Sequence, residues 1–329
     1  LKMSQKIILA TIFFFFLLIV SGQELKWIYK IGGTSADNGV ALTMDDDQSI
    51  YDMTTFSGSL TIVNQSFTSR GSQDIVIRKS SSSGFFQWVR HLGGKGQDIA
   101  YDIVADNDDN VYLTGSFTDS LFYNNTFLIK GDAIKIQSFI LKINPEGNVI
   151  WVRKLEADVA VMARTITKGQ GGEMIISGSF EGNGNFGAGF SAGNNGGMDG
   201  FLIKISGASG NTTFMRTFGG PENDTVLQHF TDNQNNYYLA GDFRQTVDFD
   251  PGPAQQLKSN MGMADGYVLK LSATGNFVWV RTFGSSGLDQ AVSLTADGQR
   301  NVIVTGSFSN SVNFSESGNP AQSKGSTDI

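Results

Sequence analysis

One phrase returns five times along this chain and fixes what it can fold into. "NVYLTGSF" ends at Phe117, "EMIISGSF" at Phe180, "NYYLAGDF" at Phe243 and "NVIVTGSF" at Phe308, and a looser copy, "SIYDMTTF", ends at Phe56. The successive phenylalanines lie 61, 63, 63 and 65 residues apart. A second set of anchors, Trp27, Trp88, Trp151, Phe214 and Trp279, precedes each of them by 29 residues. Two rulers that agree over five copies define an internal repeat, and a repeat of this period is one supersecondary unit that buries its apolar faces against its neighbours.

The content of one unit predicts its fold. In the copy opening at Trp88, "WVRHL" reads as a strand, "GGKGQD" as a tight turn, "IAYDIVAD" as a second strand and "NDDN" as another turn. "VYLTGSF" follows, then about 20 residues of polar loop, then "SFILKI" before the chain turns into Trp151. Glycine, asparagine and aspartate mark the turns, where positive φ and side-chain-to-backbone bonds are needed. No sustained helical period occurs after residue 23. Four antiparallel strands per repeat predict an all-β chain, a β-propeller of four-stranded blades. A β-solenoid fits less well, because its coils are shorter and lack two hairpins per copy. The glycine inside the strand that ends at Phe117, Phe180, Phe243 and Phe308 predicts a bulge or a close backbone approach.

"STDI" at the C-terminus matches the start of the strand that opens at Asp74, Asp199 and Asp265. The expectation is therefore at least five blades, with repeats starting near 27, 88, 151, 214 and 279, the last one incomplete.

Composition narrows the function. Twenty-four basic residues against 31 acidic ones give a net charge of −7, which argues against a nucleic-acid partner. There are no cysteines, so disulfides, thiolate metal sites and a cysteine nucleophile are excluded. Lys2 and Lys6 precede a 14-residue apolar run, Ile7 to Val20, with Ser21 and Gly22 behind it. That is short for a membrane span and fits a signal peptide over residues 1–22, followed by a repeat domain over 23–329 that is secreted or held at the cell surface. An uncleaved signal anchor is the one membrane attachment this reading admits.

"WVRTFG", "DNDDNVYLTGSF", "VDFDPG" and "DGYVLKLSATGNFVWVRTFG" together resemble the SBBP type of β-propeller repeat, found in secreted and cell-surface proteins. The resemblance runs from Trp27 to the end. It implies the propeller and an exported location, and no particular activity. The third copy departs from it: "LEADVAV" replaces the Gly-Gly turn, and Val161 stands where other copies carry aspartate.

Several catalytic signatures are present in letters only. "GNGNFG", Gly182 to Gly187, lacks the following helix of a dinucleotide site, and "GFSAG", Gly189 to Gly193, lacks the strand–turn–helix of a nucleophile elbow. "DNDDN", Asp106 to Asn110, lacks the glycine and glutamate of a calcium loop and reads as an Asx-rich turn. Of the two histidines, His91 occupies what reads as a solvent-facing strand position. No catalytic residue, metal or cofactor is expected.

Two polar sets recur. Arg90, Arg153, Arg216 and Arg281 follow the anchor aromatics by two residues, on a strand expected to be outermost, where they pack along the aromatics or pair locally. Asp37, Asp98, Asp224 and Asp289 follow by ten, at the start of the strand expected to be innermost. These aspartates either cap their own turns or ring the channel mouth as binding residues. The expected function is non-catalytic binding or display, with a protein or glycan held by the loops of one face. A lyase or hydrolase on the same scaffold, or a spacer in a larger surface protein, are the alternatives.

Overall fold

A computed structural model describes residues 26–297, 299, 301–312, 314, 320–324 and 328. The signal segment expected over residues 1–22 lies outside them. The described chain is all-β and repetitive, with a single 3₁₀ turn, Gln170–Gly172, among its strands.

Four antiparallel sheets recur in chain order, and within each the strands lie in sequence. The first sheet comprises Asp37–Met44, Ile50–Phe56, Asp74–Ser80 and Phe86–Gly93. The second comprises Ile99–Ala105, Val111–Phe117, Gln137–Ile143 and Val149–Ala157. The third comprises Ala160–Lys168, Glu173–Glu181, Asp199–Ser206 and Thr212–Phe218. The fourth comprises Thr225–Thr231, Tyr237–Phe243, Asp265–Leu271 and Phe277–Phe283. A fifth begins with Gln290–Ala296 and Val302–Ser307, and Asp328 bridges Phe308 as Asp265 bridges Phe243.

The first strands of successive sheets pack directly on one another, which places them on the inner side of the array. In the first four sheets the second and third strands are buried on both faces, as in Val111–Phe117. Phe56, Phe117, Phe180, Phe243 and Phe308 are all buried at the end of their second strands. At the fourth strand, neighbours interlock. The indole of Trp88 donates to Pro145 O and that of Trp151 to Gly207 O, each on the turn between the third and fourth strands of the next sheet. Arg90 and Arg216 bond carbonyls of the same turns while lying over Trp88 and Phe214. Arg90, Arg153 and Arg216 are thus packed on the aromatics, as expected, and also staple each sheet to the next. Trp27 makes the same bond, to Ser82 O, so residues 27–33 occupy the place of a fourth strand ahead of the first sheet.

The polar loop after each second strand is more ordered than the sequence suggests. In the second repeat it forms a hairpin, Ser120–Tyr123 with Thr126–Lys130, whose first strand pairs with Leu92 and Gly93 of the previous repeat. Gly184–Asn185 pairs in the same way with Glu156 and Ala157. "GNGNFG" is therefore an edge strand and its turn, with no helix behind it.

The recurring strand glycine has a common cause. Each first strand carries a β-bulge at Val40, Tyr101, Arg164, Leu227 or Val292, where two residues face one on the partner. The residue before the bulge pairs with the glycine: Ala100 with Gly115, Ala163 with Gly178, Val226 with Gly241 and Ala291 with Gly306. A methyl group on these glycines would collide with the carbonyl oxygens of Ile99, Met162, Thr225 and Gln290 respectively. In the first copy the glycine is on the other strand, Gly39 opposite Thr54.

Candidate functional site

The first strands begin at one end of the array, and so do the loops that follow the second strands; together they form a loop face. The four aspartates named from the sequence lie here, and each accepts the backbone N–H four residues before it. Asp37 receives Gly33 N at 2.6 Å, Asp98 receives Gly94 N at 2.7 Å, Asp224 receives Gly220 N at 2.6 Å and Asp289 receives Ser285 N at 2.7 Å. Asp98, Asp224 and Asp289 are fully buried; Asp37 is half-buried. Each is held at its own turn. The acidic groups that repel Asp98 are Asp74 and Asp119, and those that repel Asp224 are Asp199 and Asp242, none of them another of the four.

A second set of aspartates, at the start of the third strands, completes this arrangement. Asp74, Asp199 and Asp265 accept the N–H groups of Arg70, Asn195 and Met261, again four residues back. Their carboxylates lie against Gly93, Gly219 and Gly284, the first glycine of each turn, so closely that a Cβ there would strike them. The second glycine is fixed from the other side: a Cβ on Gly94 or Gly220 would meet the carbonyl of Ser120 or Thr246 in the next loop. The Gly-Gly turn is thus imposed by a carboxylate behind and a backbone in front.

The third copy shows that these residues form one unit. Ile136 bridges Ala160 as Gln73 bridges Gln97, which puts Val161 in register with Asp98. At this junction alone Gln137 replaces the third-strand aspartate, Glu156 and Ala157 replace the two glycines, and Val161 replaces the first-strand aspartate. All four positions change together.

Burial raises these carboxyls: Asp98 is pushed up to about 8, Asp199 and Asp224 to about 7, and Asp265 to about 6. Oδ1 of Asp74, Asp98, Asp199 and Asp265 is buried without a hydrogen-bond partner.

The histidines do not form a reaction centre. His91 is buried rather than solvent-facing, because its ring is held between Phe56 and Phe67 and its Nε2 lies 2.6 Å from Asp74 Oδ2. His229 stands where three other first strands bury Ile103, Ile166 and Leu294, and sits between Ser177 Oγ and Thr167 Oγ1, each at 2.7 Å. Burial drives it down to about 3, so it stays neutral, and with no carboxylate to orient it the Ser177 contact is a packing contact. The Asp106–Asn110 segment is the Asx turn expected: Asp106 accepts from Asp108 N, Asn110 N and Tyr112 OH, and Asp232 repeats the pattern two copies on. Among the described residues no group of three or more His, Asp or Glu side chains is placed to hold a metal ion.

Among its polar residues the loop face also presents apolar side chains. Ile134, Ile136 and Val159 are exposed together where the second repeat meets the third, and Met261, Met263 and Leu288 where the fourth meets the fifth. Sequence reasoning missed both groups. Their signal was present as isolated apolar residues in otherwise polar loops.

Comparison with known proteins bears on what such a face is for. Residues 87–122 match the SBBP β-propeller repeat family. Over 193 residues, half of this chain, it is 25% identical to an uncharacterized WD repeat-containing protein of Acanthamoeba polyphaga mimivirus. The match spans 14% of that relative.

Proposed function

We propose, from the SBBP β-propeller repeat that this chain carries, that it is a non-catalytic β-propeller whose loop face binds a protein or glycan partner, working outside the cell or at its surface. The observation that carries this reading is the pair of exposed apolar groups on the loop face, Ile134 with Ile136 and Val159, and Met261 with Met263 and Leu288. Exposed apolar clusters on a rigid repeat framework mark interaction sites. The other face is made of Asx-capped turns such as Asp106–Asn110 and Asp232–Asn236, which consume their own polar groups. The apolar run Ile7 to Val20 behind Lys2 and Lys6 supports export.

The test is comparative capture. The chain and two variants, Ile134→Glu with Met261→Glu on the loop face and Phe85→Glu on a far turn, are immobilised and offered the surface extract of the source organism. Captured proteins and glycans are quantified after thermal melts show that all three are folded. The expected result is that the loop-face variant loses what the unmodified chain and the Phe85 variant both retain. Equal capture by all three overturns the reading.

A further inference from the structure

The inner side of the array carries a cation that the fold does not satisfy. At the five bulges the side chains are Val40, Tyr101, Arg164, Leu227 and Val292, so Arg164 is the one charged residue in the set. It breaks the repeat in the same copy that loses its Gly-Gly turn. Its guanidinium carbon lies 5.3 Å from the centre of the Tyr101 ring, on the bulge of the neighbouring sheet. That ring is fixed, because Tyr101 OH donates to Ser116 Oγ at 2.9 Å. Arg164 Nη2 points at Met162 Sδ, 3.5 Å away and a weak acceptor, while Nε is buried with no acceptor at all. Among the described residues no carboxylate pairs with it, although the chain has 31 acidic residues to supply one.

We infer that Arg164, backed by the Tyr101 ring, is a binding point for a single carboxylate on the inner side of the array. A guanidinium with free donors in a planar fork matches a carboxylate through two parallel hydrogen bonds, and partial burial strengthens them relative to water. The Tyr101 ring holds the cation in place before a ligand arrives. One unit of positive charge among apolar neighbours suits a monoanion, whereas a phosphate dianion calls for a second cation, which the bulge positions do not supply. The carboxylate is carried either by a small solute or by an acidic side chain of a bound polypeptide. The site is separate from the loop-face apolar groups and does not depend on them.

Nitrogen-detected NMR of the arginine side chains in the full chain tests this, with the Arg164 Nε resonance assigned by its loss in Arg164→Lys. Sodium acetate is titrated against sodium chloride at constant ionic strength. In parallel, acetyl-Gly-Asp-Gly-amide is titrated against its Asn counterpart. The expected result is a saturable shift with acetate, half complete in the millimolar range, absent with chloride, and about fivefold weaker in Tyr101→Leu. A matching shift with the Asp peptide and not the Asn peptide extends the site to polypeptide carboxylates; a shift with acetate alone restricts it to small solutes. An unmoved resonance, or one that moves equally with acetate and chloride, overturns the proposal.

Discussion

At four of the five inner hairpins, a hydrogen atom in place of a methyl group lets the first two strands close on one another. At Gly178 the bulge at Arg164 pushes the carbonyl of Met162 onto the glycine Cα, and the second strand has nowhere to move because Phe201 and Phe180 fill the space behind it. Gly178→Ala is therefore expected to cost about 3 kcal/mol, the scale of forcing atoms into a packed core. Gly39 is the informative control. It lies beside the equivalent bulge of the first sheet, yet a Cβ there meets nothing within 4 Å. Gly39→Ala should change stability by less than about 0.5 kcal/mol. Urea unfolding of both variants checks the pair; equal costs would mean that strand flexibility, rather than the bulge carbonyl, selects the glycine.

At the scale of the strand, the bulge creates a second requirement. It frees backbone N–H groups on the side of the first strand that faces the previous sheet, and hydroxyls of that sheet receive them. Ala100 N donates to Thr55 Oγ1 at 3.1 Å, Ala163 N to Ser138 Oγ at 2.9 Å and Val226 N to Ser179 Oγ at 2.9 Å. Ser179→Ala leaves a buried N–H without a partner and should cost about 2 kcal/mol. Ser116→Ala should cost less, because Ser116 accepts only the half-buried Tyr101 hydroxyl. Thermal melts of the two variants decide this, and equal losses would remove the inter-sheet role. The strands were legible in the sequence because both faces of each sheet are buried, which forces the same large side chains to return at the same spacing. The bulges were marked only indirectly, by the glycine that faces them on the second strand, since the bulged residue itself carries no fixed side chain; Val, Tyr, Arg and Leu all serve. The hairpin at Ser120–Lys130 was hidden for the opposite reason: its alternation, Leu121 and Tyr123 inward, is real but too short to stand out from loop. The aspartates were found by their period, while their partners, Asp74, Asp199 and Asp265, stand in a different strand and become neighbours only when sheets stack.

Across the whole molecule, that stacking makes the junctions respond differently to pH. A carboxyl raised by burial holds its proton in the folded state at pH values where the unfolded chain has released it. Its stabilising contribution is full below about pH 4 and is lost as pH rises through the folded value, at up to 1.36 kcal/mol per pH unit and proton. Asp98, at about 8, places this loss at the junction of the first and second sheets, and Asp199 and Asp224, at about 7, place it at the junction of the third and fourth. The junction of the second and third sheets has Gln137 and Val161 in their place and nothing to titrate there. Asp102, which accepts Ile166 N deeper in that junction, is raised only to about 6 and is already ionised above that pH. Hydrogen exchange between pH 6 and 8, corrected for the intrinsic rate, should therefore show falling protection for the N–H groups of Asp98 and Asp224, which bond Gln73 O and Met198 O. The N–H of Val161, bonded to Ile136 O in the same register, should keep its protection. Asp98→Asn keeps the acceptor for Gly94 N and removes the proton, so it should flatten the response at the first junction and leave that at Asp224 unchanged. If all three amides weaken together, the junctions open as one body and the paired carboxylates do not set their local stability.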